Sequence, residues 1–243
     1  MDDFEDQISS YPYNTWYAVI LSFAFWSGSY LAIRMVFPKT SPEYSSRILA
    51  LFHGFVMTFF GLNQCFSGKS PFDNPDEPTT TDQALIIVAS LGYFVEDLIW
   101  CLYYQTETAL MIAHHAYSCF ALSRMLFRGA AGHAATCGLG ALEVTNPLLQ
   151  ARWFTRTHGY HNTPLFTSIE VTFMIMFFFV RIILGSIYLL LVIIQPTNTW
   201  EFRILTFLIY TMSWMFMINI CKYFNHKYME ENVEAELGHM NTS

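Results

Sequence analysis

The sequence predicts an all-α, polytopic membrane protein with about seven transmembrane helices. Only 13% of its 243 residues are charged, whereas 53% are hydrophobic. A soluble domain carries about 25% charged residues, so this composition indicates a protein whose surface faces lipid. Apolar windows of about 20 residues, the length that crosses the hydrocarbon core of a bilayer, recur along the whole chain.

Seven windows are long enough to be spans. They are 16–37, 47–66, 83–104, 109–128, 132–150, 165–194 and 201–224. The sixth is too long for one straight helix across the bilayer, so we expect it to be tilted or broken near Gly185. The fifth contains Asn146-Pro147, and a proline inside a helix predicts a kink at that point.

The charges that flank the spans predict the orientation. The first fifteen residues carry four acidic residues and no lysine or arginine, so the first span has no basic leader and acts as its own insertion signal. Basic residues lie in or next to 38–46, within 151–164 and around the end of the last span, which places these segments in the cytosol by the positive-inside rule. The predicted organisation is an acidic lumenal or extracellular N-terminus (1–15), a first helix (16–37), one membrane domain (40–225) and a polar cytosolic tail (226–243).

Two classes of site are not expected. A net charge of −7 excludes the basic footprint of a nucleic-acid-binding protein. The five cysteines lie in or at the ends of spans without CxxC spacing. We interpret them as small apolar residues that form neither disulfides nor a zinc site.

Polar side chains inside six of the spans share one depth. A rise of about 1.5 Å per residue places them about 6–10 Å inside the cytosolic ends of their helices. They are His53, Asp97, His114, His115, Glu143, Asn146, Glu170 and Asn219. Charged side chains in hydrocarbon are costly and commonly mark functional sites, so we predict a cavity that opens toward the cytosol and carries a polar ring. The alternative is that each group bonds a neighbouring helix separately.

The ring is expected to be built by the second to seventh spans, with the first helix packed outside, because the first span contributes no residue to it. Arg181 lies deeper in the sixth span and is predicted to be a counter-ion for a carboxylate. We assign His53, Asn146, Glu170, Arg181 and Asn219 to the wall of a lipid cavity.

His114, His115, Asp97 and Glu143 are the candidate catalytic residues. The two adjacent imidazoles point about 100° apart on a helix, so one can face the cavity while the other packs against a neighbour. This geometry suits one imidazole base held by Asp97 or Glu143. It does not suit two imidazoles on one metal, and we predict neither a metal nor a cofactor. The sequence also contains no glycine-rich phosphate loop and no GxSxG nucleophile.

Three segments together resemble the TLC-domain family, which includes the ceramide synthases. They are 91–105 (LGYFVEDLIWCLYYQ), 109–115 (ALMIAHH) and 142–154 (LEVTNPLLQARWF). The resemblance implies a multi-pass protein of the endoplasmic reticulum with a helix-lined lipid cavity. In ceramide synthases the His pair is followed on its helix by an aspartate and later by a second His pair. Neither follows His114-His115 here, so the resemblance supports lipid handling more than it supports any one reaction.

Two functions remain open at this stage. The first is a lipid-binding membrane protein, with membrane lipids as its partners, that influences membrane lipid composition or homeostasis. The second is an acyltransferase that uses acyl-CoA as a substrate, with His114 or His115 as the base or transient nucleophile. The sequence indicates no oligomeric state.

Overall fold

The computed structural model describes residues 14–67 and 77–230. Most of the predicted acidic N-terminus, of the acidic loop after the second span and of the polar tail lies outside the described residues. The described helices are α1 (Thr15–Val36), α2 (Pro42–Phe66), α3 (Thr81–Tyr104), α4 (Ala109–Arg128), α5 (Gly132–Glu143), α6 (Asn146–Thr157), α7 (Pro164–Phe177), α8 (Gly185–Ile194) and α9 (Trp200–Asn225). Two π-helical segments, Phe178–Leu184 and His226–Glu230, follow α7 and α9.

The all-α membrane fold is confirmed. In the described part of the chain, five helical stretches are long and apolar enough to cross a membrane, namely α1, α2, α3, α7 through α8, and α9 with its π-helical extension. The fourth predicted span corresponds to α4, and the fifth to α5 and α6 together.

Most helices begin at a side-chain cap. The N-cap side chain accepts a hydrogen bond from the backbone N–H three residues later at Asn14, Ser41, Thr80, Thr108, Thr163 and Thr199. At Thr80 the cap is reciprocal, because the Gln83 side chain accepts from the Thr80 N–H. Each such cap stabilises a helix by roughly 1 kcal/mol, and together they fix where the spans start.

Two spans are interrupted as the sequence predicts. The fifth breaks between Glu143 and Asn146, directly before Pro147. The sixth passes through the π-helical segment Phe178–Leu184, which ends directly before Gly185. π-helical turns inside α-helices are commonly found at functional sites.

α2 and α5 cross with their backbones in contact. A Cβ atom added to Gly61 would lie 2.5 Å from the Cα atom of Gly140, so this crossing needs glycine on both helices. Close to it, Cys65 and Cys137 form a disulfide with their Cα atoms 4.8 Å apart. The prediction that no cysteine forms a disulfide is therefore wrong for these two. The disulfide joins residues 72 positions apart, and no local spacing in the sequence reveals such a pairing.

α1 packs outside the other helices. The Trp26 indole N–H donates to the Ala89 carbonyl of α3 at 2.8 Å, and a Cβ atom at Gly92 of α3 would lie 2.7 Å from the backbone N of Phe23. No residue of α1 lines either cavity described below. The remaining predicted spans therefore surround the interior without α1.

Candidate functional site

A polar cavity of about 350 Å³ lies between α2, α3, α4, α6, α7 and α9. It holds seven of the nine residues that the sequence singles out: Asp97, His114, His115, Glu143, Asn146, Arg181 and Asn219. Its other polar lining residues include Arg47, Glu107, Gln150, Arg152 and Tyr223. All six spans after the first contribute to the wall, which is the arrangement expected of a ring of helices around a site.

His115 and Asp97 form the closest imidazole–carboxylate pair in this wall. His115 Nε2 on α4 lies 3.2 Å from Asp97 Oδ2 on α3, and each residue is only 8% exposed. The Nδ1 atom of His115 is buried without a hydrogen-bond partner among the described residues. A carboxylate held against one ring nitrogen orients the imidazole, as a general base requires.

Glu143 has different partners. Asn146 Nδ2 donates to Glu143 Oε2 at 3.0 Å, and His53 Nδ1 lies 3.7 Å from the same oxygen. Asn146 Oδ1 in turn accepts from Gln150 Nε2 at 2.8 Å. The break between α5 and α6 thus exposes a carboxylate to the cavity and supplies the amides that bind it.

His53 does not line the cavity, contrary to the prediction. Its ring is fully buried and stacks on Tyr93, with centroids 3.8 Å apart and planes inclined by 12°. Its Nε2 atom contacts Ser90 Oγ at 3.2 Å. Because Tyr93 itself lines the cavity, His53 lies one layer behind the wall.

Glu170 also lies outside the cavity lining, in a buried ion-pair cluster. Its carboxylate accepts from Arg152 Nε at 2.7 Å, Lys227 Nζ at 2.5 Å, Tyr223 Oη at 2.9 Å and Tyr228 Oη at 2.7 Å.

By helical spacing Glu170 shares a face of α7 with Phe173 and Phe177, which line the cavity. The depth estimate is not enough to find this arrangement, because its partners Arg152 and Tyr223 line the cavity in its place. Its partners Arg152 and Lys227 come from positions that the sequence assigns to a loop and to the tail.

Arg181, which the sequence predicts to be the counter-ion of a carboxylate, lines the cavity together with Glu143. The two groups attract each other electrostatically, although no direct ion pair of Arg181 is found among the described residues. Its Nη2 atom donates to the Leu142 carbonyl at 2.7 Å.

A second, mostly apolar cavity of about 230 Å³ adjoins the first, between α4, α5, α8 and α9. Its wall is formed largely by small and apolar side chains such as Ala121, Ala134, Gly138 and Leu205. Four residues line both cavities: Phe94, His114, Glu143 and Arg181. A polar compartment that meets an apolar one at charged and imidazole groups suits an amphipathic ligand with a polar head and an apolar chain.

One group of side chains has the composition of a metal site. Asp97, Cys101 and His115 each offer a ligand atom, and these atoms all lie within 4.8 Å of one another. Carboxylate, thiolate and imidazole are the ligands that zinc takes in proteins. The contact between His115 and Asp97 also occurs without an ion, and the expectation of no metal stays a prediction.

Two residues that line the cavity, Arg47 and Arg152, were not predicted from the sequence. Arg47 is bound by Glu43 and Glu107, at 3.2 Å and 2.6 Å, and lies at a helix end that the sequence marks only as basic. Arg152 belongs to α6, which extends to Thr157 and therefore beyond the predicted end of the fifth span. For Arg152 the available signal was the helix periodicity that continues past the predicted end of the fifth span.

Comparison with known proteins assigns the membrane domain to a family. A family model described as the TLC domain matches residues 43–229, which is most of the chain. A TLC domain-containing protein of Arabidopsis thaliana is 27% identical over 116 residues, which are 48% of this chain and 45% of that protein. The match therefore covers about half the length of this relative.

Proposed function

We propose a lipid-binding function for this chain, which belongs to the TLC-domain family. In this proposal the paired cavities hold a membrane lipid, with the polar head among the ionisable residues and the chain in the apolar compartment. Through that binding the protein influences membrane lipid composition or homeostasis. The observation that carries the proposal is the direct contact of a polar and an apolar cavity within the membrane domain.

The disulfide supports the predicted orientation. Cys65 lies at the end of α2 that the charge pattern places outside the cytosol, and Cys137 lies in the first half of α5. Disulfides persist in oxidising compartments such as the lumen of the endoplasmic reticulum and are rare in the cytosol. We therefore propose residence in a membrane of the secretory pathway, starting with the endoplasmic reticulum, with the polar cavity nearer the cytosol.

Filling the apolar compartment tests the lipid-binding function. A Cβ atom at Gly138 would have the Tyr188 hydroxyl at 3.5 Å as its nearest neighbour, which is ordinary contact, and the rest of a larger side chain would enter the cavity. Gly138→Phe should abolish lipid that co-purifies with the protein, measured by native mass spectrometry, and should fail to restore the lipid profile of cells that lack the protein.

Gly28→Phe is the matched control, because a Cβ atom there meets nothing within 4 Å and α1 lines neither cavity. It should behave as the unaltered protein. Retention of lipid by a folded Gly138→Phe variant would contradict a ligand in the apolar compartment.

A second candidate function, acyl transfer from acyl-CoA, is favoured by one specific contact. Asp97 supplies, from a neighbouring helix, an acid 3.2 Å from His115, where the ceramide-synthase pattern has its aspartate on the His-pair helix. The imidazole would take the proton of an acceptor amine or hydroxyl as that group attacks the thioester carbonyl. The carbon–sulfur bond then breaks, and the CoA thiolate leaves with the proton.

Complementation separates the two functions. His115→Ala and Asp97→Asn should each fail to restore the lipid profile if the protein catalyses acyl transfer, although both still bind lipid. If both variants restore the profile fully, the acyltransferase function is excluded and lipid binding remains.

A further inference from the structure

The hydroxyl groups in the wall of the apolar cavity are already used within the protein. Six side chains of this wall carry a hydroxyl, namely Tyr117, Ser118, Tyr188, Thr206, Tyr210 and Ser213. Five of the hydroxyls donate to backbone carbonyls, and that of Tyr210 is bonded to Ser186 Oγ at 2.6 Å. A polar head group in this cavity therefore finds its partners at the junction with the polar cavity.

Three side chains at that junction have hydrogen-bonding atoms left over. Glu143 accepts from Asn146 through Oε2, whereas its Oε1 accepts no hydrogen bond among the described residues. Arg181 donates to the Leu142 carbonyl through Nη2, and its Nη1 has no partner in the same part of the chain. His114 Nδ1 is also without a partner there. Because Glu143, Arg181 and His114 line both cavities, a bound head group meets all three.

The charges of Glu143 and Arg181 compensate each other. The two groups attract each other electrostatically, but among the described residues they form no direct ion pair. A ligand group that lies between them is therefore exposed to both charges. A carboxylate there would be repelled by Glu143, and an ammonium group by Arg181. A hydroxyl oxygen is repelled by neither, because it accepts a hydrogen bond from the guanidinium and donates one to the carboxylate.

The wall of the polar cavity as a whole carries no excess of either charge. It contains three arginines and three carboxylates, namely Arg47, Arg152, Arg181, Asp97, Glu107 and Glu143. An ionised head group would add a charge that has no counter-charge, which is costly inside a membrane domain. The charge balance therefore favours an uncharged ligand over an anion or a cation.

The size of the apolar cavity indicates how many chains the ligand has. Its volume of about 230 Å³ is below the range of about 300–1,000 Å³ that is typical of small-molecule pockets. This volume favours one chain over two.

We propose that the junction binds the uncharged hydroxyl head group of a single-chain lipid between Glu143 and Arg181, with the chain in the apolar cavity. This inference rests on the proposed lipid-binding function and narrows it to one ligand class. Glu143 and Arg181 are then specificity-determining residues, because each repels the charge that the other would attract.

The test compares ligands that share a sixteen-carbon chain and differ in the head group. Tritiated hexadecanol is bound to the purified full-length protein in detergent and displaced by unlabelled hexadecanol, its methyl ether, palmitate or hexadecylamine. The buffer is mildly alkaline, so that palmitate is an anion and the amine a cation. We expect hexadecanol to displace the label about ten- to hundredfold better than the other three, the ratio typical of a hydrogen bond to a charged group.

Two substitutions should change this preference in opposite directions. Glu143→Gln leaves the guanidinium as the only charge at the junction, so palmitate should become a better competitor than hexadecanol. Arg181→Gln leaves the carboxylate, so hexadecylamine should become the better competitor. The double variant is uncharged at the junction and should again prefer hexadecanol to both ions. A general loss of packing would weaken all ligands together and would not reverse their order.

Arg203→Gln and Glu201→Gln are the matched controls. Arg203 donates to the Gln195 carbonyl at 2.8 Å and lies over an aromatic ring, as Arg181 does. Neither Arg203 nor Glu201 lines a cavity. Both controls should keep the preference for hexadecanol.

The outcomes distinguish the inference from the function on which it rests. If palmitate, hexadecylamine or the ether displaces the label from the unaltered protein as well as hexadecanol does, the hydroxyl site is excluded while lipid binding stands. The same conclusion follows if folded Glu143 and Arg181 variants keep the preference for hexadecanol. If no lipid binds at all, the lipid-binding function itself fails.

Discussion

His115 Nε2 and Asp97 Oδ2 lie 3.2 Å apart although their residues belong to different helices, α4 and α3. The contact is one element of the site that two separate hydrophobic spans must position together. His114, next in the chain, makes no ion pair with Asp97 in the part of the chain that the structure describes. A His114 variant can therefore serve as the control for a variant of His115, the imidazole that contacts Asp97.

We expect Asp97→Asn and His115→Ala to be non-additive in thermal stability in detergent. Groups in contact couple by about 0.5–3 kcal/mol, whereas unconnected groups add to within about 0.5 kcal/mol. The control cycle pairs Asp97→Asn with His114→Ala and should be additive. Additivity in both cycles would mean that the polar groups are separate interhelical contacts.

Glu170→Gln should destabilise the protein by about 3 kcal/mol, because it leaves the half-buried Arg152 and Lys227 side chains without the counter-charge that both contact in the structure. Glu201→Gln is a matched control. Its pair with Arg124 is more than one third exposed on both sides, and such pairs contribute roughly 0–1 kcal/mol. Thermal unfolding in detergent measures both, and equal effects would contradict the role of the cluster around Glu170.

Gly61→Val should prevent the close crossing of α2 and α5, because its Cβ atom would overlap the backbone of Gly140. Overpacking of a tight contact costs about 1–3 kcal/mol or more. Gly28→Val on α1, where a Cβ atom meets nothing within 4 Å, should change stability little. The readout is the yield of folded, monodisperse protein together with its melting temperature. Normal folding of the Gly61 variant would refute the crossing.

Thiol counting tests the disulfide. The denatured, unreduced protein should react at three cysteines, Cys101, Cys119 and Cys221, and at all five after reduction. Each free thiol that reacts with maleimide-polyethylene glycol lowers the mobility of the protein on a gel by one step, and the number of steps gives the count. Cys221→Ser should lower both counts by one, whereas Cys65→Ser should raise the unreduced count by exposing the thiol of Cys137. Five reactive thiols without reductant would exclude the bond.

Elemental analysis tests the expectation of no metal at Asp97, Cys101 and His115. A histidine that ligates a metal almost always donates its other ring N–H to an oriented partner, and His115 Nδ1 has none among the described residues. We therefore expect no stoichiometric zinc in the purified protein. Zinc that is present at one per chain and lost in Cys101→Ser would overturn this expectation.

Hydropathy was sufficient to predict the all-α membrane fold, with five stretches among the described residues able to span a membrane. Asp97, His114 and His115 line the same cavity as expected from their depth. Depth does not fix the rotation of a helix about its axis, however, and this is why His53 lies behind Tyr93.

Pairings between distant segments were not predictable from local patterns. Glu170 is bound by Lys227, which lies in a π-helical extension past the predicted end of the last span. The bond between Cys65 and Cys137 likewise depends on a helix crossing. Such contacts are decided by tertiary packing, for which the periodicity of a single span carries no information.

The bond between Cys65 and Cys137 closes α3 and α4, with Asp97 and His115, inside one covalent loop of the chain. Arg181 lies outside that loop, as do α6, α7 and α9, which form the opposite wall of the polar cavity. The two walls are held together by side-chain contacts and by the single passage through α5. A separation of the walls would therefore break no covalent bond, whereas α3 and α4 stay tied to α2 and α5 through the disulfide.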